Sequence, residues 1–254
     1  MLLRGESMSK VIILSGAGVS AESGISTFRD SDGLWEKYRV EDICTEGCLV
    51  SNRAQTIDFY DKRRAELADK TPNHAHKMIA ELKKKYPKEI AVITQNVDNL
   101  FEKAGLKRDE VVHLHGFLTN LECEQCKEVY DVGYQKTAQS FGGKCPICGS
   151  DKVRPHIVMF GEAAPNYQLM YREFDDCEML VVIGTSGNVI NTDMFLNTSI
   201  KVSILNNLEP SPAIDDRLYT KVHYKPAGEA IDEIADDIET FLRASSHEVP
   251  KNLK

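Results

Sequence analysis

Short apolar runs alternate with helical stretches along most of this chain, and that alternation is the strongest constraint on its fold. Val11–Ser15, Ile90–Thr94, Val111–Leu114, Met179–Ile183, Lys201–Leu205 and Lys221–Tyr224 read as strands, several of them apolar on consecutive residues. Consecutive apolar residues suit strands covered on both faces. Arg53–Ala68, Asn73–Tyr86, Val97–Ala104, Asn166–Cys177 and Ala227–Arg243 read as helices. In the last, Ile231, Ile234, Ala235, Ile238 and Leu242 form one stripe. Strands alternating with helices predict an α/β fold on a parallel sheet. Two segments break the pattern. Residues 36–71 are mostly helical and charged, and residues 119–156 carry cysteines and few apolar runs. They are expected to form a smaller domain beside a sheet domain built from 1–35, 72–118 and 157–254.

Composition removes some function classes. The formal net charge is −8 over 254 residues, whereas gripping nucleic acid or an anionic membrane needs a basic surface. No stretch approaches the roughly 18 apolar residues of a membrane span. Lys10 followed by VIILSGAGVSA has the outline of a signal peptide cleaved after Val19-Ser20-Ala21, but the strongly apolar run ends at Leu14. Met8 is an alternative start to Met1. Four of the seven cysteines, Cys123, Cys126, Cys145 and Cys148, form two CxxC pairs. In a chain without a secretion signal such pairs suit a metal better than disulfides, so a reducing, cytoplasmic compartment is expected. Four thiolates close a tetrahedral Zn2+ site and leave no position for substrate, which makes the metal structural.

The remaining motifs sit at strand ends, where open α/β sheets bind ligands. Val11–Ser15 runs into Gly16-Ala17-Gly18-Val19-Ser20-Ala21, a GxGxxA pattern that lets a backbone approach a pyrophosphate. A tight turn without a ligand is the plainer reading, and the usual ribose-binding acid some twenty residues on is missing. The loop that follows holds Phe28, Arg29 and Trp35 and is long enough to close over a ligand. Gln95, Asn96 and Asp98 follow the second strand. One such residue would be a helix cap, whereas three together favour a site. His113 and His115 follow the third strand, and alternation puts them on the same side; either is a candidate general base. Gly184, Thr185 and Ser186, and then Asn207, Leu208 and Glu209, end two further strands. Residues 155–162 alternate and read as an ordinary strand or as an edge that pairs with an extended peptide.

Taken together, GAGVSAESGISTFR, TQNVDNL, HLHG, the CxxC pairs, VMFGE, GTS and NLEP resemble the sirtuins in order and spacing, from Lys10 to about Leu242. The resemblance implies a Rossmann-like parallel sheet with helices on both faces plus a small zinc-binding domain, with the substrate peptide in the cleft between them. It implies an NAD-dependent protein-lysine deacylase that transfers the acyl group to ADP-ribose and releases nicotinamide. Gly16, Ala17, Gly18, Ser20, Ala21, Phe28, Arg29 and Trp35 would hold and cover NAD. Gln95, Asn96 and Asp98 would surround the nicotinamide and its ribose, with Asn96 and Asp98 counted with His115 as catalytic. Gly184, Thr185, Ser186, Asn207, Leu208, Glu209 and Ala227 would line the adenosine side. Val158 and Phe160 would flank the acyl-lysine.

Within the family, Tyr60 and Arg63 resemble the Tyr-x-x-Arg pair of the desuccinylase type. Three residues apart, they share one helix face, while the neighbouring Arg64 points elsewhere and serves as a control. Two departures stand out: STFR where that type has RTFR or a close variant, and Gly187–Thr192 where relatives usually carry a proline and small residues. A protein ADP-ribosyltransferase would use the same site. An NAD-binding oxidoreductase would need a second substrate site, for which no dedicated candidate is seen, and a zinc-ribbon interaction module would not need three polar strand ends. Acyl-lysine proteins or peptides are the expected partners of a chain expected to be monomeric, away from nucleic acid and membranes.

Overall fold

The computed structural model describes residues 10–26, 39–196 and 198–247. Its strands are β1 (Val11–Ser15), β2 (Ile90–Thr94), β3 (Val111–His113), β4 (Gly116–Cys123), β5 (Val129–Asp131), β6 (Val153–Ile157), β7 (Met179–Ile183), β8 (Val202–Asn207) and β9 (Lys221–Tyr224). The helices are α1 (Val40–Ile43), α2 (Cys48–Ser51), α3 (Arg53–Glu66), α4 (His74–Lys85), α5 (Leu100–Lys103), α6 (Tyr167–Glu173) and α7 (Ala227–His247). Among the described residues no helix is long and apolar enough to cross a membrane.

Six strands form one parallel sheet in the order β3-β2-β1-β7-β8-β9. Every residue of β1, β2 and β7 is buried, as their unbroken apolar runs require. On one face Val11, Ile13, Val92 and Val181 pack against Ala75 and Ile79 of α4 and Ile231, Ile234 and Ile238 of α7. On the other, Ile12, Leu14, Ile93 and Val182 pack against Met170 of α6 and Phe195. The sheet order reverses between β1 and β7, because β2 and β3 lie on one side of β1 and β8 and β9 lie beyond β7.

The strand expectations fit closely, with differences at the ends that have local causes. β8 begins at Val202 and runs on through Asn206 and Asn207, polar but buried residues; Asn206 Nδ2 donates to the carbonyls of His223 and Lys225 at 3.1 and 2.9 Å. α5 starts at Leu100 rather than Val97. The Val97 carbonyl accepts from Leu118 N–H at 2.8 Å, and Asp98 Oδ1 accepts from Leu100 N–H at 3.1 Å. α6 ends at Glu173 and tightens into a 3₁₀ turn over Phe174–Asp176.

The segment that reads as poor in strands holds most of a second, antiparallel sheet in the order β5-β4-β6. Beside it lies a separate apolar core joining Ile43, Cys44, Phe59, Tyr60 and Leu67 to Leu118, Ile157 and Met159 at the ends of β4 and β6. Arg64 corrects the sequence reading. It does turn away from Arg63, but it is fully buried and structural, and is therefore no neutral control. Its Nε donates to Leu118 O at 2.7 Å, and its Nη1 donates to Asp61 Oδ1 at 2.6 Å and Gln135 O at 3.1 Å. Asp61 in turn accepts from Thr137 N–H at 3.0 Å and Thr137 Oγ1 at 2.7 Å. These bonds tie α3 to the segment that carries the two CxxC pairs.

Candidate active site

A cleft of about 520 Å³ lies at the carboxyl ends of β1, β2 and β7, where the strand order reverses. Topological reversals are where open α/β sheets bind ligands, because loops on the two sides diverge there and leave a crevice. Gly16, Ala17 and Ser20 line it from the turn after β1, Gln95, Asn96 and Asp98 from the turn after β2, and Gly184, Thr185 and Ser186 from the turn after β7. His115, Val158, Phe160, Tyr60 and Arg63 line the same cleft.

The glycines of the first turn have a packing reason as well as a binding one. A Cβ on Gly16 would lie 2.7 Å from Gly184 O, and one on Gly18 would lie 2.7 Å from Gly184 Cα. Gly18 N–H donates to Gly184 O at 2.8 Å, so the two strand-end turns are in backbone contact. The chain after Gly16 forms a 3₁₀ helix, Ala17–Ser23, and it brings Ser20 inward. Ser20 Oγ donates to Asp98 Oδ2 at 2.9 Å and accepts from Asn96 Nδ2 at 3.1 Å. It also lies 3.3 Å from Nε2 of His76, which is fully buried. Burial pushes the His76 pKa down to about 4 against the pull of Asp98 and Glu102. The strand-end polar residues are thus fixed by a buried network, and Asp98 serves both as a cap and as a wall of the cleft.

The two histidines separate. β3 ends at His113, the chain turns over 114–115, and β4 starts at Gly116. Alternation therefore stops before His115. His113 is buried, with Nδ1 3.0 Å from Asn96 O and Nε2 2.9 Å from Glu102 Oε1. His115 faces the cleft, with Nδ1 2.8 Å from Gln95 O and Nε2 2.9 Å from the Tyr167 hydroxyl. Burial lowers its pKa, against the Gln95 carbonyl, so the ring is neutral and able to act as a base near neutral pH. Gly116 makes this turn possible. Its φ is +90°, and a Cβ there would lie 2.3 Å from His156 O.

At the far end, Tyr60 is buried and its hydroxyl donates to Cys44 Sγ at 3.1 Å. Burial raises the pKa of the Tyr60 phenol and lowers that of the Arg63 guanidinium. Val158 and Phe160 line the cleft, and three of their four backbone N–H and C=O groups are paired within the chain. Val158 N–H donates to His115 O at 2.8 Å, Phe160 N–H to Cys44 O at 2.8 Å, and Phe160 O accepts from Glu46 N–H at 2.7 Å. The first half of 155–162 belongs to β6, which pairs with β4 on one side and forms an outer strand of the small sheet.

The cysteine quartet converges away from the cleft. The four Sγ atoms lie within 4.8 Å of one another, with Cys123–Cys148 and Cys126–Cys145 both at 3.6 Å. A tetrahedron with Zn–S bonds of about 2.3 Å has S···S edges of about 3.8 Å, so the donor set and its spacing fit zinc. The two CxxC turns share one geometry. Lys127 N–H donates to Cys123 O and Gly149 N–H to Cys145 O, both at 2.9 Å. Lys127 and Gly149 both have left-handed backbones, with φ of 63° and 74°.

Residues 16–191 match the model of the Sir2 family. The chain is 45% identical over 236 residues to an NAD-dependent protein deacylase of Campylobacter jejuni subsp. jejuni serotype O:2, covering 93% of this chain and 98% of that one. It is 40% identical over 260 residues to an NAD-dependent protein deacylase of Helicobacter hepaticus, covering 92% and 99%. The chain belongs to the Sir2 family. Among solved structures it is similar to a Sir2 homologue–NAD complex, with a TM-score of 0.79, 32% identity and coverage of 93% and 92%. A Sir2 structure with a deacetylated p53 peptide and 3′-O-acetyl ADP-ribose has a TM-score of 0.75, 27% identity and coverage of 89% and 92%.

For a Sir2 protein the fit to NAD rests on this chain's own atoms. Small residues at the sheet's reversal leave the backbone open to a pyrophosphate, and Asn207 Nδ2 at the end of β8 is buried with no hydrogen-bond partner among the described residues. Gly18, Ala21, Asn207, Leu208, Glu209 and Ala227 are not part of the cleft lining. Gly18 is packed on Gly184, Leu208 is exposed, and Ala227 begins α7. Phe28, Arg29 and Trp35 lie outside the described residues. The sequence reading missed His76, Cys44 and Tyr167. Each meets the site only through a contact spanning 16 to 56 positions, and none lies in a strand-end motif.

Proposed function

We propose that this sirtuin is an NAD-dependent protein-lysine deacylase that prefers acyl groups ending in a carboxylate, succinyl over acetyl. One observation carries the reading. A single cleft is lined by the glycine turn, by a neutral His115 and by Tyr60 with Arg63. A nucleotide site, a base and a cation for the acyl end thus share one space. The relatives' activity supports the first half of the reading, and the chemistry of Arg63 supports the second: a planar guanidinium pairs with a carboxylate through charge-assisted bonds.

Bound NAD supplies the electrophilic ribose carbon and the hydroxyls that receive the acyl group, with nicotinamide as the leaving group. The protein's part is positioning and proton transfer. Asn96 and Asp98, held by Ser20, orient the nicotinamide ribose. His115 Nε2 takes a ribose hydroxyl proton while Nδ1–H stays on Gln95 O. Such general-base help contributes roughly 10²–10⁴-fold. Val158 and Phe160 flank the lysine stem. In this reading the peptide lies between a sheet domain (1–35, 72–118, 157–254) and a small domain (36–71, 119–156) that carries the zinc.

The test is incubation with NAD and acetyl-, succinyl- or unmodified-lysine peptides, followed by mass spectrometry. Free lysine peptide with O-acyl-ADP-ribose, formed faster from succinyl-lysine, is expected. Faster turnover of acetyl-lysine would overturn the preference. ADP-ribose attached to the unmodified peptide, without deacylation, would overturn the reaction.

A further inference from the structure

His115 has both ring nitrogens engaged. Gln95 O is an acceptor only, so Nδ1 must carry a hydrogen to bond it at 2.8 Å. In the neutral ring Nε2 is then the acceptor, and the Tyr167 hydroxyl, 2.9 Å away, must be the donor. That hydroxyl sits on the lone pair that a base uses. Tyr167 is not held there by its own helix alone. Asn166 Nδ2 donates to His113 O at 2.7 Å, which fastens the start of α6 to the end of the strand preceding His115. Tyr167 itself lines the cleft, with its ring tilted 43° to the imidazole at a centroid distance of 5.9 Å.

We propose that Tyr167 is a positioning residue for the base: its hydroxyl fixes the Nδ1–H tautomer of His115 and caps Nε2 until a ribose hydroxyl takes its place. The proposal rests on the reading of His115 as the general base. In the capped state the ring is oriented by two bonds at opposite ends, so little rotational freedom is left to lose when substrate arrives. On exchange, the ribose O–H donates to Nε2 in place of the phenol, and its proton then passes to Nε2 as the ribose oxygen bonds the acyl carbon. The phenol keeps its own proton throughout, and burial raises its pKa.

The phenol donates to Nε2 of the neutral ring and turns to accept from the Nε2–H of the charged one; the second bond is charge-assisted and the stronger, so removing the hydroxyl lowers the pKa. The groups around the ring are Gln95 from the end of β2, Tyr167 from α6 with Tyr171 beyond it, and the backbone of Val158. The titratable side chains sharing the cleft are Cys44, Tyr60, Arg63, Glu66, Lys70, Asp98 and Glu162. Asp98 is bonded to Ser20 and Glu162 to Arg154, and both nitrogens of the ring are taken by other partners.

The experiment is a nitrogen-15 NMR titration of His115 in the NAD-free full chain, wild type against Tyr167→Phe, with Tyr171→Phe as control. The difference between a charge-assisted and a neutral hydrogen bond corresponds to a fall of about 0.7–1.1 pH units in the His115 midpoint for Tyr167→Phe. The acidic limb of kcat/KM should move the same way, since it reports the free enzyme's base. Tyr171→Phe should leave the midpoint in place. An unchanged or higher midpoint in Tyr167→Phe, or an equal fall in Tyr171→Phe, overturns the cap. His115→Ala assigns the resonance and tests the base separately. Deacylation surviving in His115→Ala would defeat the assignment of the base and with it the catalytic meaning of the cap, whereas the titration reads the hydrogen bond itself.

Discussion

Arg64→Met is expected to destabilise this sirtuin strongly while leaving its chemistry in place. The Arg64 side chain is fully buried and makes three hydrogen bonds, to Leu118 O, Asp61 Oδ1 and Gln135 O. Methionine keeps the aliphatic volume but none of these donors. The Asp61 carboxylate would remain, 6% exposed, held only by Thr137 N–H and Oγ1. Removing one partner of a buried ion pair costs about 3–5 kcal/mol, chiefly because the other charge is left without compensation. For a chain of this size that corresponds to a fall in Tm of roughly 6–20 °C. The assay is urea unfolding and thermal melting of wild type, Arg64→Met, Asp61→Leu and the double variant. The double variant should recover part of the loss, giving a coupling of about 0.5–3 kcal/mol. Deacylation at a temperature where every variant is folded should stay within a few-fold of wild type. A loss below about 1 kcal/mol for Arg64→Met, within the range of an exposed pair, would refute the reasoning.

Arg63→Met should lower kcat/KM for succinyl-lysine roughly ten- to a hundredfold, the value of about 1.5–3 kcal/mol for bonds to a charged group. Acetyl-lysine turnover should change little. Lys62→Met, at a half-exposed lysine whose ammonium lies 2.7 Å from Asp58, replaces Arg64 as the control, and equal losses on both substrates would remove the assignment. Cys123→Ala should release one zinc per chain by metal analysis and unfold the small sheet, since structural zinc contributes on the order of 10 kcal/mol in small zinc domains; full activity in zinc-free protein contradicts that role. His76 has its pKa depressed to about 4 from 6.5. It therefore gives stability that is fully present above the unfolded pKa and is lost as pH falls from about 6.5 to 4, ~3 kcal/mol in all. Urea midpoints across that window should slope less in His76→Asn than in wild type, and parallel slopes would show that His76 charges freely in the fold.

Much of the fold and part of the site were legible before any coordinates, and for a local reason. β1, β2 and β7 have the expected ends because a strand covered on both faces must be apolar at consecutive positions, which is a property of five neighbouring residues. The glycine turn, QNVD and the CxxC pairs are equally short in sequence. The tertiary structure alone decided where polar residues are buried and what they meet. Nothing near Arg64 marks it as buried and Arg63 as facing the cleft, because the difference lies in Leu118 and Gln135, 54 and 71 positions away. The antiparallel sheet went unread because β5 is three residues long, two of them exposed. Alternation alone put His113 and His115 on the same side, and only the end of β3 at His113 separates them. Tyr167 looks like any helical tyrosine until folding sets its hydroxyl on His115, 52 positions earlier. Local pattern fixes which elements form. Contacts between distant positions, selected by packing around the shared core, fix which side chains face the cleft and in what protonation state.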